Sequence, residues 1–232
     1  MPTPPHRPTL SVVLPTLDAA RTLPAALAAL AEAAPEEVVV ADGGSADGTP
    51  ALAAALGARV VAPPTRGRGA QLAAGVAASR GDWLLLLHAD TRLAPGWSAP
   101  ARAFMADPAN AARRAAHFRF ALDSDAPEAR RLERAVAWRC RVLGLPYGDQ
   151  GLLVSRALLG AVGGVRPLPL MEDADLARRL GRARLAALPA DALTSAARWE
   201  RDGWLARSAR NLAILGLWRL GVPPATLRRL YG

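Results

Sequence analysis

Four short segments set glycine beside acidic, basic or imidazole side chains. They are Pro15-Thr16-Leu17-Asp18, the run ADGGSADGT from Ala41 to Thr49, PTRGRGAQ from Pro64 to Gln71, and His88-Ala89-Asp90-Thr91. Carboxylates such as Asp42 and Asp90 can accept from a base or ribose or hold a divalent cation. Arginines such as Arg66 and Arg68, with backbone amides such as that of Gly43, can meet phosphate. A nucleoside diphosphate needs this mixture. Further along, Glu172-Asp173 places two carboxylates side by side, an arrangement that raises a pKa and can supply a general base. Each segment alone also has a plainer reading. ADGGSADGT could be a strand-to-helix turn capped by Ser45 or Asp47, and RGRG could be a solvated loop. His88 and Asp90 could be a cap and a satisfied turn, and Glu172-Asp173 a pair favoured by a helix dipole. The plain readings leave unexplained why all four polar loops would share one edge.

That shared edge follows from the elements on either side of them. Leu10–Leu14, Val38–Ala41, Arg59–Ala62 and Trp83–Leu87 are short apolar runs of the kind that form buried strands. Between them lie helical stretches from Leu23, with proline in the first turn, to Ala33, from Thr49 to Leu56, and from Ala70 to Ser79. Apolar strands alternating with helices specify an α/β fold with a mostly parallel sheet flanked by helices. In such sheets ligands bind beyond the carboxyl ends of the strands, where all four polar segments fall. Past Pro95 the pattern becomes less regular. It predicts a helix over Gly96–Met105, a strand over His117–Leu122 with one exposed face, and a helix over Pro127–Leu143. A strand over Gly151–Ser155, a helix over Asp173–Leu180 and a strand over Leu185–Leu188 follow. No linker, low-complexity tract or repeat divides the chain, so residues 1–232 read as one domain. About 8–94 form its nucleotide-binding half and about 95–232 a less regular C-terminal half.

Composition narrows the class. The 232 residues are 51% hydrophobic, enough for one sizeable core without staples. Cys140 is the single cysteine, which excludes an internal disulfide framework. Prolines stand in the opening MPTPPHRPTL where a secretory signal would need an apolar run. No stretch approaches the ~18 apolar residues of a membrane span, and the chain reads as cytoplasmic. The net charge of +9 would ordinarily suggest nucleic acid. Every basic residue is arginine, however, and isoleucine occurs only at Ile214, a pattern of GC-rich coding rather than of an RNA or DNA partner. No nucleic-acid partner is expected.

The ordered motifs VVLPTLDAA, DGGSADGT, RGRGAQL, LHADT, YGDQG, MEDAD and TSAARWE resemble those of the family 2 glycosyltransferases, which have the GT-A fold. The wording of LHADT, YGDQG and SAARWE is most similar to a small bacterial subgroup labelled arsenosugar-biosynthesis-type. The resemblance implies inverting transfer from a nucleotide-sugar donor, with a UDP-sugar favoured, to an unidentified hydroxyl acceptor that could be lipid-linked. It implies a divalent cofactor, Mn2+ or Mg2+. By the same resemblance, Pro15 and Thr16 lie along the nucleoside, with Asp42 and the adjoining Gly43 at base or ribose. Arg66, Arg68 and Gln71 belong to the donor loop, and Asp90 holds the metal. His88 stands where the family has a first aspartate, so His88 and Ala89 contact either metal or donor. Asp173 matches the catalytic base, with Glu172 beside it. Asp149 and Gln150 match an acceptor-side loop, and Arg198 and Trp199 an element near the donor phosphates. Two rival classes are a nucleotidyltransferase and a nucleotide-sugar-binding protein without transferase activity. PTLDAAR lacks the glycines of the former's first loop, and retention of Asp90 and Asp173 weighs against the latter.

The C-terminal stretch interleaves Trp204, Leu205, Leu212, Ile214, Leu215, Leu217 and Trp218 with Arg207, Arg210 and Arg219. Such a helix can lie in a membrane interface, here the inner face of a membrane, pack on its own domain, or join a second copy.

Overall fold

In the computed structural model, which describes residues 7–231, the chain runs β1 (Leu10–Thr16), α1 (Leu23–Leu30), β2 (Glu37–Asp42), α2 (Thr49–Ala55) and β3 (Arg59–Val61). It continues through α3 (Arg68–Ala78), β4 (Trp83–Leu86), β5 (Thr91–Leu93), α4 (Ser98–Ala106), α5 (Pro108–Arg113) and β6 (Ala115–Leu122). Next come α6 (Pro127–Leu143), β7 (Leu152–Ser155), α7 (Arg156–Ala161), α8 (Glu172–Leu180) and β8 (Leu185–Thr194). The last elements are α9 (Ala197–Asp202), α10 (Trp204–Arg219) and α11 (Pro224–Tyr231). Most of the proline-rich opening, residues 1–6, lies outside the described residues.

Eight strands form one mixed sheet in the order β3-β2-β1-β4-β7-β6-β8-β5. The first four are parallel, as the alternation of apolar strand and helix requires. β7 runs antiparallel to both β4 and β6, while β8 is parallel to β6. The side-chain alternation of β1 and β4 explains their unbroken apolar runs. Val12, Leu14, Trp83, Leu85 and Leu87 enter one core layer with Trp97 and Phe118, and Val13, Leu84 and Leu86 enter the other with Leu72, Leu176 and Leu180. Gly75 lets α3 settle directly on β1, because a Cβ there would overlap Val13.

The topology also decides which later loops reach the site. β6 and β8 point the same way as β1, so the residues after β8 emerge at the same edge as Thr16 and Asp42. β7 points the other way, so its leading loop, Tyr147–Gly151, sits at that edge too. Thus motifs far apart in sequence converge.

Several element expectations are corrected. β8 does not stop at Leu188 but continues to Thr194. Pro189 has no N–H to give the ladder, and the pairing with β6 slips between His117 and Arg119 instead of ending. β5 was not expected. It is three residues long, and its antiparallel pairing with β8 includes a Thr91–Thr194 hydroxyl contact of 3.1 Å. β6 shows no exposed face, for Arg119 is its only exposed residue and His117 is buried. The helix from Leu23 ends at Leu30, with a 3-10 turn over Ala31–Ala33. The helix after β3 begins at Arg68 rather than Ala70, so one arginine of RGRG is helical.

Candidate active site

The loops that follow β1 and β2 are built around Asp42 at the end of β2. Its Oδ1 accepts from Thr16 Oγ1 at 2.8 Å and from Ser45 Oγ at 2.5 Å. Its Oδ2 accepts from the amides of Gly44 and Ser45 at 2.9 and 2.8 Å. Burial works to raise the Asp42 pKa, but these donors outweigh it and leave the carboxyl below its ordinary value. Gln71, on the buried face of α3, donates to the carbonyls of Thr16 (2.5 Å) and Ala41 (2.9 Å). Its amide lies over Gly43, where a Cβ would stand 3.0 Å from Nε2. Pro15, Thr16, Asp42, Gly43 and Gln71 are therefore one braced unit, with the Arg66 guanidinium beside Gly44. Asp18 and Ser45 tie the two loops further: the Asp18 amide donates to Ser45 Oγ (2.9 Å) and the Ala46 amide to Asp18 Oδ1 (2.9 Å).

Across the edge is a second cluster of different character. β4 runs into His88, which meets the first turn of α8 and the Tyr147–Gly151 loop. One ligand atom each from His88, Glu172 and Asp173 lies within 4.8 Å of the others. His88 Nε2 is buried without a partner, and burial, assisted by the charges of Arg68 and Arg198, pushes its pKa well below the ordinary value. The imidazole is neutral, with a lone pair available to a cation or donor. Gly148 is what lets it sit there, since a Cβ at 148 would overlap the ring.

Glu172 is 2% exposed and Arg68 approaches its Oε1 at 3.4 Å. That distance gives an ion pair but no aligned hydrogen bond, and the oxygen remains unsatisfied. Burial first, then Asp173, raises the Glu172 pKa to about 7 against the pull of Arg68. Asp173 is more open. Its Oδ2 accepts from the Gly148 amide at 3.0 Å and its Oδ1 from the Ala174 amide at 2.7 Å. Both oxygens thus receive backbone donors at a helix N-terminus. Asp175 faces away and pairs with Arg179, Arg166 and Arg178 at 2.8, 3.3 and 3.9 Å.

Asp149 Oδ1 is also buried without a partner. Burial raises its pKa to about 6; Arg139 and Arg68 oppose the rise, while Asp173 and Asp90 add to it. Gln150 points inward instead. Its Oε1 accepts from Arg139 (3.1 Å) and the Tyr147 amide (3.3 Å), and its Nε2 donates to the Phe118 carbonyl (3.2 Å). That side chain braces the loop and is fully occupied doing so. Arg139, which sequence reasoning did not single out, stacks 3.6 Å from the Tyr147 ring centroid. Nothing but its place on an arginine-rich helix could have flagged it.

Asp90 follows the buried Ala89 and pairs with Arg198 at 3.5 Å. Arg198 thereby links the start of α9 to the end of β4. Trp199 packs against Phe120 in an edge contact at 6.3 Å and is largely buried, with its indole N–H unpartnered. The structure brings together His88, Asp90, Asp149, Glu172, Asp173, Arg68 and Arg198. Gln150 and Trp199 serve the packing around them. Sequence reasoning read Arg207 and Arg210 only as the basic face of a C-terminal helix. Both lie beside Arg198 in a cleft with Arg201, Asp202 and Tyr231.

A parallel-to-mixed sheet with nucleotide-type loops, and with a carboxylate–imidazole cluster at the same edge, defines a glycosyltransferase of the GT-A fold. The chain belongs to glycosyl transferase family 2, whose model matches residues 11–134. Among solved structures it is similar to glucosyl-3-phosphoglycerate synthase from Mycobacterium tuberculosis. The form in complex with Mn2+ and UDP-glucose aligns with a TM-score of 0.58 at 23% identity over 81% of this chain and 70% of that one. The form with Mg2+ and UDP gives the same values. The form with Mn2+, UDP and glucosyl-3-phosphoglycerate gives 0.57 at 23% identity over 81% and 71%. No curated protein matches the sequence.

Proposed function

We propose that this glycosyltransferase moves a sugar, with inversion, from a nucleoside-diphosphate donor, favouring UDP, to a hydroxyl acceptor, and does so with a divalent cation. The observation that carries the reading is the edge cluster. Buried, unpartnered polar atoms of His88, Glu172 and Asp149 lie beside Asp173, a costly arrangement unless something charged completes it. The donor set fits a divalent ion: imidazole with carboxylates suits Mn2+ better than Mg2+. Asp90, with His88 on the same segment, would hold the ion against the diphosphate. When bound, such an ion neutralises charge on the leaving nucleotide. The similar mycobacterial synthase has been solved with Mn2+ or Mg2+ and UDP, which supports the choice of cofactor and donor.

This chain's own residues do the remaining work. The braced loop of Thr16, Asp42, Gly43 and Gln71 offers the nucleoside a surface that needs no rearrangement, with Pro15 along it and Arg66 nearby. Arg68 and Arg198 stand near the carboxylates and can face phosphate. Asp173, more open than Glu172, takes the proton from the acceptor hydroxyl as that oxygen attacks the anomeric carbon, which is one in-line displacement with a single base. Glu172 behind it holds Arg68. The Tyr147–Gly151 loop, through Asp149, borders the acceptor side. We retain the similarity of LHADT, YGDQG and SAARWE to the arsenosugar-type subgroup as a guide to acceptor screening. The proposed location is the cytoplasm. No helix among the described residues is long and apolar enough to cross a membrane. Ile214, Leu215 and Trp218 pack α10 onto the chain's own core, and Leu205 and Leu212 stay exposed, a face for a membrane surface or a second copy. Vesicle co-sedimentation and sedimentation equilibrium distinguish those two. The central test is calorimetry of UDP with and without Mn2+, paired with a donor-hydrolysis assay. Metal-dependent binding and turnover support the reading, and binding without any turnover favours a nucleotide-sugar-binding protein.

A further inference from the structure

Beyond the edge cluster, α9, α10 and α11 border an open cleft of ≈ 620 Å³ lined by Arg198, Arg201, Asp202, Arg207, Arg210 and Tyr231. Its volume is in the range of small-molecule sites. Four arginines and one carboxylate line it. Arg201, Arg207 and Arg210 converge on Asp202 at 2.7, 2.6 and 3.3 Å. One acidic side chain thus sits where three arginines would otherwise meet an anion. Arg207 is the built part of the site. It is 8% exposed, its guanidinium lies 5.1 Å from the Trp199 ring centroid, and its Nε has no hydrogen-bond partner. Arg207 is thus held both by packing and by its pairing with Asp202, with one donor left unused, and guanidinium forks match phosphate and carboxylate geometry. Tyr231 closes one wall, its ring 5.6 Å from Arg210 and its hydroxyl on Asn211.

The cleft's location gives it a role. Arg198 lines it and also pairs with Asp90, so the cleft opens beside the metal-side segment. None of the residues that line it belongs to the Thr16–Asp42 loops assigned to the nucleoside.

Resting on the glycosyl-transfer reading, we propose that this arginine cleft is an anion subsite for the acceptor, which carries a phosphate-like group as well as its reacting hydroxyl. Asp202 holds the arginines in register while the site is free, and the anion competes with it. Fixing the acceptor by its charged end would bring its hydroxyl to the edge where Asp173 stands, and binding energy far from the reacting atoms is used in this way for orientation.

The test uses inorganic phosphate as the probe in calorimetry of the full chain, first saturated with UDP and Mn2+. Phosphate should bind the UDP-loaded wild type, and R201Q/R210Q, which alters the more exposed pair, should bind it at least tenfold more weakly with UDP affinity unchanged. Asp202→Asn should bind phosphate severalfold more tightly, which a merely structural ion-pair network would not do. Absence of phosphate binding, equal affinity in R201Q/R210Q, or weaker binding in Asp202→Asn overturns the proposal. Loss of UDP affinity in R201Q/R210Q, or exclusion of phosphate by UDP, assigns the cleft to the donor diphosphate and overturns it equally. Because phosphate binding requires no turnover, failure of the transfer reading would appear separately, as wild type that binds no UDP or hydrolyses no donor.

Discussion

The two sides of the strand edge solve the same problem in opposite ways. At the ends of β1 and β2, Asp42 is saturated by Thr16, Ser45 and Gly44, and Gln71 closes the loop from above. Across the edge, His88 Nε2, Asp149 Oδ1 and Glu172 Oε1 are buried with no hydrogen-bond partner. A satisfied network is rigid and offers a fixed surface, whereas buried unsatisfied groups cost stability and await a ligand. The first side is thus suited to holding something unreactive. The second is suited to taking a cation and a proton, and it is the side on which substitutions should separate chemistry from binding.

The sharpest separation is expected at Asp173. Asp173→Asn preserves shape and removes the proton acceptor, so turnover should fall by ~10² or more, the usual contribution of a positioned base. Affinity for UDP should barely move, while stability should fall by about 1 kcal/mol, because the Asn NH2 cannot accept one of the two backbone bonds that Asp173 takes. Glu172→Gln should cost less turnover. A dead Glu172→Gln beside an active Asp173→Asn would exchange their roles, and full activity in both would move the base elsewhere.

On the satisfied side the expected loss is of structure. Asp42→Ala removes four accepted hydrogen bonds and strands partly buried amides, which should cost about 2 kcal/mol in urea unfolding. Unchanged stability would mean that the loop is not the prebuilt surface described above, and the contrast between the two sides would collapse.

Asp90 lies between the two regimes, exposed enough to reach a ligand and paired at 3.5 Å with Arg198. Asp90→Ala should weaken UDP binding in Mn2+ about tenfold, or ~1.4 kcal/mol, and should have little effect without the metal. Equal affinities with Mn2+ present would remove Asp90 from the metal site.

Legibility in the sequence divides along the same line. The side at β1 and β2 was readable because local signals specify it: short apolar strands, glycine-bearing turns and helix starts lie within a few residues of the side chains they position. The strand limits of β1 and β2 needed extension by only one or two residues. The second cluster depends on long-range pairing. That β7 runs antiparallel, and so delivers Gly148 and Asp149 to His88, is a property of sheet order that no local pattern contains. Nor could spacing show that Gln150 turns inward or that Asp90 faces Arg198. Pro189 hid the second half of β8 for a definite reason: a missing N–H reads as a strand end, and the bulge that accommodates it appears only with the partner strand in place.

The smallest expected effect, and the most direct readout of the contrast, is the pH dependence of stability in metal-free protein. On the second side, burial raises Asp149 to about 6 and Glu172 to about 7. A carboxyl whose folded pKa lies above its unfolded value contributes stability that is complete below the unfolded pKa and is lost as pH rises through the folded one. Those two groups should therefore weaken the fold progressively between about pH 4 and about pH 7. Asp42 has the opposite sign. Its folded pKa is lowered, so its contribution is present above the ordinary carboxylate value and is lost on further acidification. With EDTA present, the urea midpoint should drift downward from about pH 5 to about pH 7.5, and Glu172→Gln, which cannot ionise, should flatten part of that drift. Mn2+ should offset it, because a bound cation favours the ionised carboxylates and stabilises only the folded state. Asp42→Asn should lower the midpoint at every pH, because its NH2 cannot accept two of the four bonds, but should leave the drift intact and remove the acid limb. A flat profile in the wild type, or a drift that Glu172→Gln leaves untouched, would show that the buried carboxylates bear no such strain and that the two sides of the edge differ less than their hydrogen bonds indicate.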